Sequence, residues 1–286
     1  MSSVSSMAMI LVSDIGRQGP ATVPGDDRGL AYGDGLFETL LVRDGRPELV
    51  HAHCQRMLSG ARRLGIPLLQ EDLDQALGES QTLIQQAGGA ERQVLKLLLT
   101  RGSGGRGYRA PASPQPRLLV SLHEAPPEPP ASGVSVAISD VPLTVNPLLA
   151  GLKTLNRMEQ VLASLGMPPD CYEAVMLGDL GDLREGTRTA LLYRRQGQWY
   201  TPPRDLVAVD SVMLAHIAKG LEATGQPITE ARLTLNQCQD ETFEGLILVN
   251  SVIGAVPVHT LEGRQLPLPD QLATIVSLAR QIEEFR

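Results

Sequence analysis

The stretch GLKTLNRMEQVL, residues 151–162, decides how the rest of the chain is interpreted. Its lysine, Lys153, follows a loop rich in proline and leucine and precedes a helical pattern from Asn156 to Leu165. An amine held among apolar residues loses hydration, which lowers its proton affinity and lets it attack a carbonyl carbon. A surface lysine that buries only its stem is the alternative interpretation.

Composition favours a globular protein without a nucleic-acid or membrane partner. The chain has 286 residues, 42% of them apolar, and a formal net charge of −7. A net negative charge does not favour binding to nucleic acid or to an anionic membrane surface. No apolar run is long enough to span a bilayer. The N-terminus lacks the basic region of a secretory signal, and the three cysteines are widely spaced, so we expect a cytoplasmic protein.

Three features of the first half carry polar or charged groups. Residues 32–38, Tyr-Gly-Asp-Gly-Leu-Phe-Glu, form a glycine-rich turn that enters an alternating strand. An amphipathic helix over His51 to Leu64 places Arg56 beside its apolar stripe, where it either binds an anion or lies in solvent. A buried strand ending at Thr100 leads into the loop 101–108, whose two arginines suit carboxylate binding unless it is an ordinary surface loop.

A proline-rich linker divides the chain, and the second half carries three more candidate groups. We predict an N-terminal domain over 1–124, a linker over 125–133 and a C-terminal domain over 134–286. Glu185 lies where a strand meets a turn, so its carboxylate either faces a pocket or is a plain turn residue. Asp210 or Ser211 would cap a helix over Val212 to Ala223, whose free N–H groups suit a phosphate.

Together these pieces, in this order, resemble the fold-type IV pyridoxal-phosphate enzymes, a family of aminotransferases for D-amino and branched-chain amino acids and of aminodeoxychorismate lyases. The resemblance covers nearly the whole chain. Its motifs are the 32–38 turn, His53-x-x-Arg56, Lys153, Glu185-Gly186, Thr201-Pro202 and Asn250-Ser251. Residues 101–108 and 151–162 are similar to the lyase branch, whereas Ala190 and Ala208 stand where the family usually has asparagine and glycine.

The resemblance implies a role for each candidate residue. Lys153 would bind the aldehyde of pyridoxal 5'-phosphate and act as the catalytic base, and Thr39 would protonate the leaving group. Glu185 would pair with the ring nitrogen of the cofactor. The phosphate of the cofactor would be bound by Arg56, by the backbone of Val209 and Asp210, and by Ser251. The substrate would be bound by Arg106 and Tyr108. No metal is implied.

The fold implied is α+β, with a small N-terminal α/β domain, a larger C-terminal domain with a β-barrel-like core, and the cofactor between them. The implied partners are a small-molecule substrate and a second copy of the chain in a homodimer. The implied reaction converts 4-amino-4-deoxychorismate to 4-aminobenzoate and pyruvate in folate biosynthesis. An aminotransferase of the same fold is one alternative, and a binding or scaffold protein without cofactor is another.

Overall fold

The computed structural model describes residues 9–11, 22–88 and 91–282, which form a mixed α+β protein. The predicted α+β class is therefore confirmed. The contacts divide the chain into two compact units: an amino-terminal unit of Met1–Pro126 with Lys153–Asn156, and a carboxy-terminal unit of Pro127–Leu152 with Arg157–Arg286. No helix among the described residues is long and apolar enough to cross a membrane.

The amino-terminal unit consists of one five-stranded sheet and three helices. Its elements are β1 (Met9–Leu11), α1 (Arg28–Tyr32), β2 (Gly35–Arg43), β3 (Arg46–Pro47), α2 (Val50–Leu64), α3 (Gln70–Gln86), β4 (Arg92–Thr100) and β5 (Arg117–Glu124). The sheet order is β1-β5-β4-β2-β3, and every neighbouring pair is antiparallel.

Side chains on the five-stranded sheet alternate between a buried face and a half-buried face. Leu95, Leu97 and Leu99 of β4 are fully buried, whereas Lys96 and Leu98 between them are half-buried. Helix α2 packs against β2 and helix α3 against β5. This alternation follows from the two-residue period of a strand, which sends successive side chains to opposite faces of the sheet.

The carboxy-terminal unit is built on a ten-stranded sheet with three helices. Its strands are β6 (Val134–Ile138), β7 (Glu173–Leu177), β8 (Asp182–Gly186), β9 (Ala190–Arg195), β10 (Gln198–Thr201), β11 (Ile228–Glu230), β12 (Leu233–Thr234), β13 (Phe243–Asn250), β14 (Gly254–Leu261) and β15 (Arg264–Gln265). Its helices are α4 (Met158–Leu165), α5 (Val212–Ala223) and α6 (Leu272–Arg280).

The strand order of this larger sheet is β11-β10-β9-β13-β14-β6-β7-β8-β12, and β15 pairs with β14. Three pairs are parallel, namely β10 with β11, β14 with β6, and β6 with β7. Apolar side chains from β6 to β14 form the main core, which includes Tyr193 and Leu248. Helix α6 packs on β14 and on helix α5.

The segment Lys153–Asn156 joins the amino-terminal unit by pairing with the start of β2. The N–H of Phe37 donates to the Lys153 carbonyl at 2.9 Å, and the N–H of Leu155 donates to the Gly35 carbonyl at 3.0 Å. The Asn156 side chain donates to the Gly33 carbonyl at 3.0 Å. These bonds fix the backbone from the Lys153 carbonyl to Asn156.

Most predicted helices and strands are confirmed, with differences at their ends. The helix after Lys153 begins at Met158 rather than Asn156, because Asn156 is held by its bond to Gly33. Helix α1 was not predicted, because its five residues lie among glycines. The helix depends on the buried Asp27 side chain, which accepts a hydrogen bond from the N–H of Gly29. The sequence also predicts a first strand over Met9 to Val12 and Asp270 as the N-cap of the last helix. The Asp270 prediction is wrong, since Gln271 is the N-cap residue. Val12 lies outside the described residues.

Replacing Gly35 by alanine should destabilise the amino-terminal unit. The added Cβ would lie 2.1 Å from the backbone oxygen of Leu99 and 2.8 Å from the Leu155 side chain. Because backbone atoms must move, we expect a loss of about 2 kcal/mol or more in the free energy of unfolding, measured by urea titration. The control is Gly78→Ala in helix α3, where the Cβ meets nothing within 4 Å. That change should raise stability by up to about 1 kcal/mol, and equal effects of both variants would contradict the proposed clash.

Candidate active site

Lys153 lies against an aromatic ring on the half-buried face of the five-stranded sheet. Its Nζ is 4.2 Å from the centroid of the Phe37 ring. Thr39 lies two residues further along β2, so its side chain shares this face with Phe37. The structure thus brings together two of the residues that the sequence predicted as catalytic, an amine and a hydroxyl.

Glu38 lies between Phe37 and Thr39 and points to the opposite, buried face of the sheet, where helix α2 supplies its partners. The Arg56 guanidinium donates from Nε to Glu38 Oε1 at 2.7 Å and from Nη2 to Glu38 Oε2. His53 Nδ1 lies 2.7 Å from Glu38 Oε2. The predicted anion ligand Arg56 therefore points inward, but its charge is balanced by a carboxylate of the protein.

The ionisation of this cluster is set by burial and by its own charges. Burial would raise the pKa of Glu38, but the charge and hydrogen bonds of Arg56, with the His53 hydrogen bond, hold that pKa down at about 2. Burial lowers the pKa of His53, and the charges of Arg56 and Lys153 lower it further against the opposing effect of Glu38. Near neutral pH the cluster therefore holds an ionised carboxylate, a neutral imidazole and a guanidinium.

The loop 101–109 is organised by two buried arginines. Arg28 donates to Asp34 at 2.8 Å and to the carbonyls of Gly107 and Tyr108 at 3.1 and 3.0 Å. Arg101 donates from Nε to Asp34 at 2.8 Å and, from its other nitrogens, to the last carbonyls of helix α2. These bonds hold the loop that carries Arg106.

The two predicted substrate residues of this loop are both exposed. Arg106 lies between Gly105 and Gly107 with its side chain in solvent, and Tyr108 is 88% exposed. The Tyr108 ring makes an edge contact with the Tyr32 ring at 5.5 Å between centroids. Both side chains therefore stay accessible to a ligand while the loop backbone is held from beneath by Arg28.

In the carboxy-terminal unit, Glu185 is a buried carboxylate near the end of β8. Its Oε2 accepts from the N–H groups of Ala208 and Val209 at 3.0 and 3.2 Å. A second buried carboxylate, Glu173, supports the turn that follows, because it accepts from the backbone of Thr187 and from the hydroxyls of Thr187 and Thr189. The Glu185 side chain is therefore held by the backbone of Ala208 and Val209, and Glu173 holds the turn that follows Glu185.

A pocket in the same unit brings Glu185 together with the start of helix α5. Its walls include Glu185, Ala190, Thr201, Val209, Asp210 and Ser211. Ser211 caps the helix by accepting from the Leu214 N–H at 3.2 Å. Arg204 also lines this pocket, with its Nη1 3.8 Å from the Asp210 carboxylate.

The predicted phosphate contacts are partly occupied by bonds within the protein. The Val209 N–H donates to Glu185, and the Asp210 N–H donates to the Gly151 carbonyl at 3.1 Å. Ser251 lies in the turn between β13 and β14, where Asn250 accepts from the N–H groups of Val252 and Ile253. A phosphate could bind the N–H groups of Val209 and Asp210 only if their hydrogen bonds to Glu185 and Gly151 broke.

Comparison with known proteins decides the family. Residues 35–261 match the family described as amino-transferase class IV. The chain belongs to the class IV aminotransferases. This finding confirms the predicted fold-type IV resemblance and the predicted use of pyridoxal phosphate, since the class IV enzymes depend on that cofactor.

Individual relatives of this class IV protein include both lyases and aminotransferases. It is 32% identical to an aminodeoxychorismate lyase of Vibrio harveyi over 82% of this chain and 86% of that protein. It is 28% identical to a bifunctional aminodeoxychorismate lyase and D-amino acid transaminase of Mycobacterium tuberculosis, over 91% and 93% of the two chains. The crystal structure of a 4-amino-4-deoxychorismate lyase from Pseudomonas aeruginosa is similar with a TM-score of 0.86 and 34% identity, covering 97% of this chain and all of that one.

The residue types of this class IV protein fit the cofactor. It has an amine at Lys153, a buried carboxylate at Glu185 whose oxygen acts as an acceptor, and the N-terminus of a twelve-residue helix at Ser211. These groups match an aldehyde, a protonated ring nitrogen and a phosphate, respectively. Among the described residues, no group of His, Cys, Asp and Glu side chains could hold a metal ion.

Sequence reasoning missed three carboxylates, two of them buried and one half-buried, that hold residues or turns of the candidate site. Glu38, Asp34 and Glu173 were not singled out, although each contacts a residue or turn of the candidate site. For Glu38 a signal was present in the sequence, because a carboxylate at a buried position of an alternating strand needs a cation. Arg56 supplies the cation, and His53, three residues earlier on the same helix face, adds a hydrogen bond.

Glu38 should make the stability of this protein depend on pH in the acid range. The pKa of its carboxyl is about 2 in the folded protein against an ordinary 4.5, so its ionised form stabilises the fold above pH 4.5. That contribution, on the order of 3 kcal/mol, is lost as the pH falls from 4.5 towards 2. In Glu38→Gln, the free energy of unfolding by urea should therefore fall less steeply over this range. The exposed Glu124→Gln serves as control, and identical acid slopes in all three proteins would contradict the assignment.

Proposed function

We propose that this protein is a lyase that converts 4-amino-4-deoxychorismate to 4-aminobenzoate and pyruvate with pyridoxal 5'-phosphate. The observation that carries the proposal is the placement of Lys153 and Thr39 on one face of β2, with Phe37 in contact with Lys153. An amine base and a hydroxyl acid on the same surface suit an elimination, which removes a proton at one position and protonates a leaving group at another. Similarity to lyases at 32% and 34% identity supports the same reaction.

Lys153 has two roles in this proposal. Its amine would hold the cofactor by attachment to the aldehyde carbon, which is the chemistry expected of a partly desolvated lysine. The free amine then removes the proton from the substrate carbon that bears nitrogen. When bound, the cofactor supplies an electron-accepting ring for the electron pair that this proton leaves behind.

Glu185 and Thr39 complete the proton movements. The Glu185 carboxylate, held by the backbone of Ala208 and Val209, accepts from the ring nitrogen and keeps a proton on it. The Thr39 hydroxyl donates a proton to the ether oxygen that leaves as part of pyruvate. The substrate ring becomes aromatic in this step, so the elimination is downhill and the protein has chiefly to orient the substrate.

The phosphate and substrate contacts complete the proposed site. Arg56, whose orientation Glu38 fixes, would bind the phosphate together with the amides of Val209 and Asp210 and the hydroxyl of Ser251. Arg106 would bind a substrate carboxylate, with Tyr108 beside it in the same exposed loop. We further propose a homodimer in the cytoplasm that acts in folate biosynthesis, on the grounds of the family resemblance and of three cysteines that form no disulfide.

An aminotransferase activity is the second candidate, and a specific finding favours it. The Mycobacterium tuberculosis relative is named as both a lyase and a D-amino acid transaminase. The residues proposed for proton removal would serve both reactions, since each begins at the carbon that bears the amine. The two activities differ in whether a keto acid is needed to complete the cycle.

Release of pyruvate without a keto acid should distinguish these activities. We expect the purified protein with pyridoxal phosphate to release pyruvate from 4-amino-4-deoxychorismate, because elimination regenerates the cofactor in its starting form. The measurement is a coupled lactate dehydrogenase assay, with a second sample that also contains 2-oxoglutarate. Pyruvate release that depends wholly on added keto acid, or no release at all, would refute the lyase proposal.

Lys153→Ala should abolish covalent attachment of the cofactor. The visible absorbance band of lysine-bound pyridoxal phosphate should disappear, and reduction with borohydride should no longer fix the cofactor to the chain. The rate of pyruvate release should fall at least about a hundredfold, since a general base is also lost. Lys219→Ala, which changes an exposed lysine of helix α5, is the control and should keep both properties. A retained band in Lys153→Ala would exclude the assignment.

A further inference from the structure

A buried arginine of helix α1, Arg28, contacts the backbone of the loop 101–109. Its guanidinium donates to four carbonyls of the loop, those of Gly104 at 3.5 Å, Gly107 at 3.1 Å, Tyr108 at 3.0 Å and Arg109 at 3.4 Å. Arg28 is only 4% exposed, so these donors face the protein rather than solvent. A single side chain therefore fixes the course of the loop before and after Arg106.

The Asp34 carboxylate fixes the direction of the Arg28 guanidinium. Arg28 Nε donates to Asp34 Oδ2 at 2.8 Å, which leaves Nη1 and Nη2 for the carbonyls of the loop. Burial would raise the pKa of Asp34, but the hydrogen bonds and charges of Arg101 and Arg28 hold that pKa below its usual value. The carboxylate is therefore ionised near neutral pH, and its charge compensates the buried guanidinium.

The loop itself contains little that would fix its shape. Four of the nine residues 101–109 are glycine, and Gly104 and Gly107 have φ angles of +132° and +67°. Glycine loses more conformational freedom on ordering than any other residue, so bonds from outside the loop must offset that cost. Arg106 lies between Gly105 and Gly107 with its side chain in solvent, so the position of its charge depends on the loop backbone.

Helix α1 also contacts the side chain of Tyr108. The centroid of the Tyr32 ring lies 5.0 Å from Arg28 Cζ and 5.5 Å from the centroid of the Tyr108 ring. Arg28 thus holds the loop backbone, and Tyr32 contacts the ring of the second predicted substrate residue.

The other end of helix α1 is bonded to the segment that carries Lys153. Gly33, the C-cap of the helix, accepts a hydrogen bond at its carbonyl from the Asn156 side chain at 3.0 Å. The Gly33 N–H donates to the Gly29 carbonyl at 2.9 Å, which ties this cap to the helix. Helix α1 therefore links the position of Arg106 to that of Lys153.

We infer that Arg28 is a positioning residue for the substrate, because its bonds to the loop carbonyls place Arg106 before the substrate carboxylate arrives. The inference rests on the proposed function for the role of Arg106 and for the identity of the substrate. A loop that is held in advance loses less freedom on binding, so without Arg28 that loss falls on the binding step. Arg28 donates only to the protein, so its removal should affect substrate affinity more than proton removal by Lys153.

The test is binding of chorismate, which has the carboxylates of the proposed substrate and a hydroxyl in place of its amine. In equilibrium dialysis with the cofactor-loaded protein, Arg28→Met should weaken chorismate binding at least about fivefold, since the donors to the loop are lost. Arg28→Lys keeps a charge beside Asp34 and should restore part of the loss. Arg62→Met, which changes an exposed arginine in the last turn of helix α2, is the matched control and should bind like the parent protein.

Dependence on Arg106 separates positioning from a general structural role. In an Arg106→Ala background, Arg28→Met should weaken chorismate binding by less than about twofold, because the group that it positions is gone. Trypsin should cleave after Arg106 at least about fivefold faster in Arg28→Met, with no change elsewhere in the chain. Equal losses of affinity in both backgrounds, or faster cleavage throughout the chain, would contradict the inference.

Kinetics separate this inference from the proposed function. In Arg28→Met, the KM for 4-amino-4-deoxychorismate should rise with a smaller change in kcat, and the cofactor absorbance band should be unchanged. Chorismate binding that is absent in the parent protein, or equal in the parent protein and Arg28→Met, would overturn the positioning role. Loss of chorismate affinity in Arg28→Met, in a protein that releases no pyruvate, would support the positioning role and refute the lyase.

Discussion

The placement of Lys153 depends on backbone pairing at an incomplete strand edge. Strand β3 pairs only with Val42 and Arg43 at the end of β2. The N–H and C=O groups at the start of β2 therefore have no partner in β3 on that side. Lys153 to Leu155 supply the partners through the bonds to Phe37 and Gly35. An unpaired strand edge is a strong attractor for extended chain, and the Asn156 side chain adds a bond to the Gly33 carbonyl that holds the segment here.

This pairing also explains why the residues around Lys153 have the types they do. Gly35 must lack a side chain because the Leu99 carbonyl and the Leu155 side chain fill the space. Gly33 has a φ of +65°, and its carbonyl accepts a hydrogen bond from the Asn156 side chain. Phe37 then supplies the flat surface on which the amine rests, and the strand period places Thr39 beside it.

Carboxylates that are buried or, for Asp34, half-buried hold groups around the candidate site in both units. Glu38 fixes Arg56, Asp34 joins Arg28 to Arg101 beneath the 101–109 loop, and Glu173 collects donors from the turn after Glu185. Each is satisfied by several donors, which a buried charge requires because its desolvation would otherwise cost several kcal/mol. Such fixed charges prepare a site before a ligand arrives, and a site held in advance loses less free energy when it binds.

The sequence by itself determined the α+β class, most element positions and the family, and it singled out Lys153 as the candidate base. These follow from local signals: strand alternation in β4, helix periodicity in α2, turn residues such as Gln196-Gly197, and the spacing of the motifs. Only the tertiary structure decided that Glu38 neutralises Arg56, that the Val209 and Asp210 amides already have acceptors, and that Arg28 donates to the carbonyls of the 101–109 loop. Each of these pairings joins residues separated along the chain, and strand register and helix docking bring them together. Periodicity within one segment carries no information about which segment becomes its neighbour.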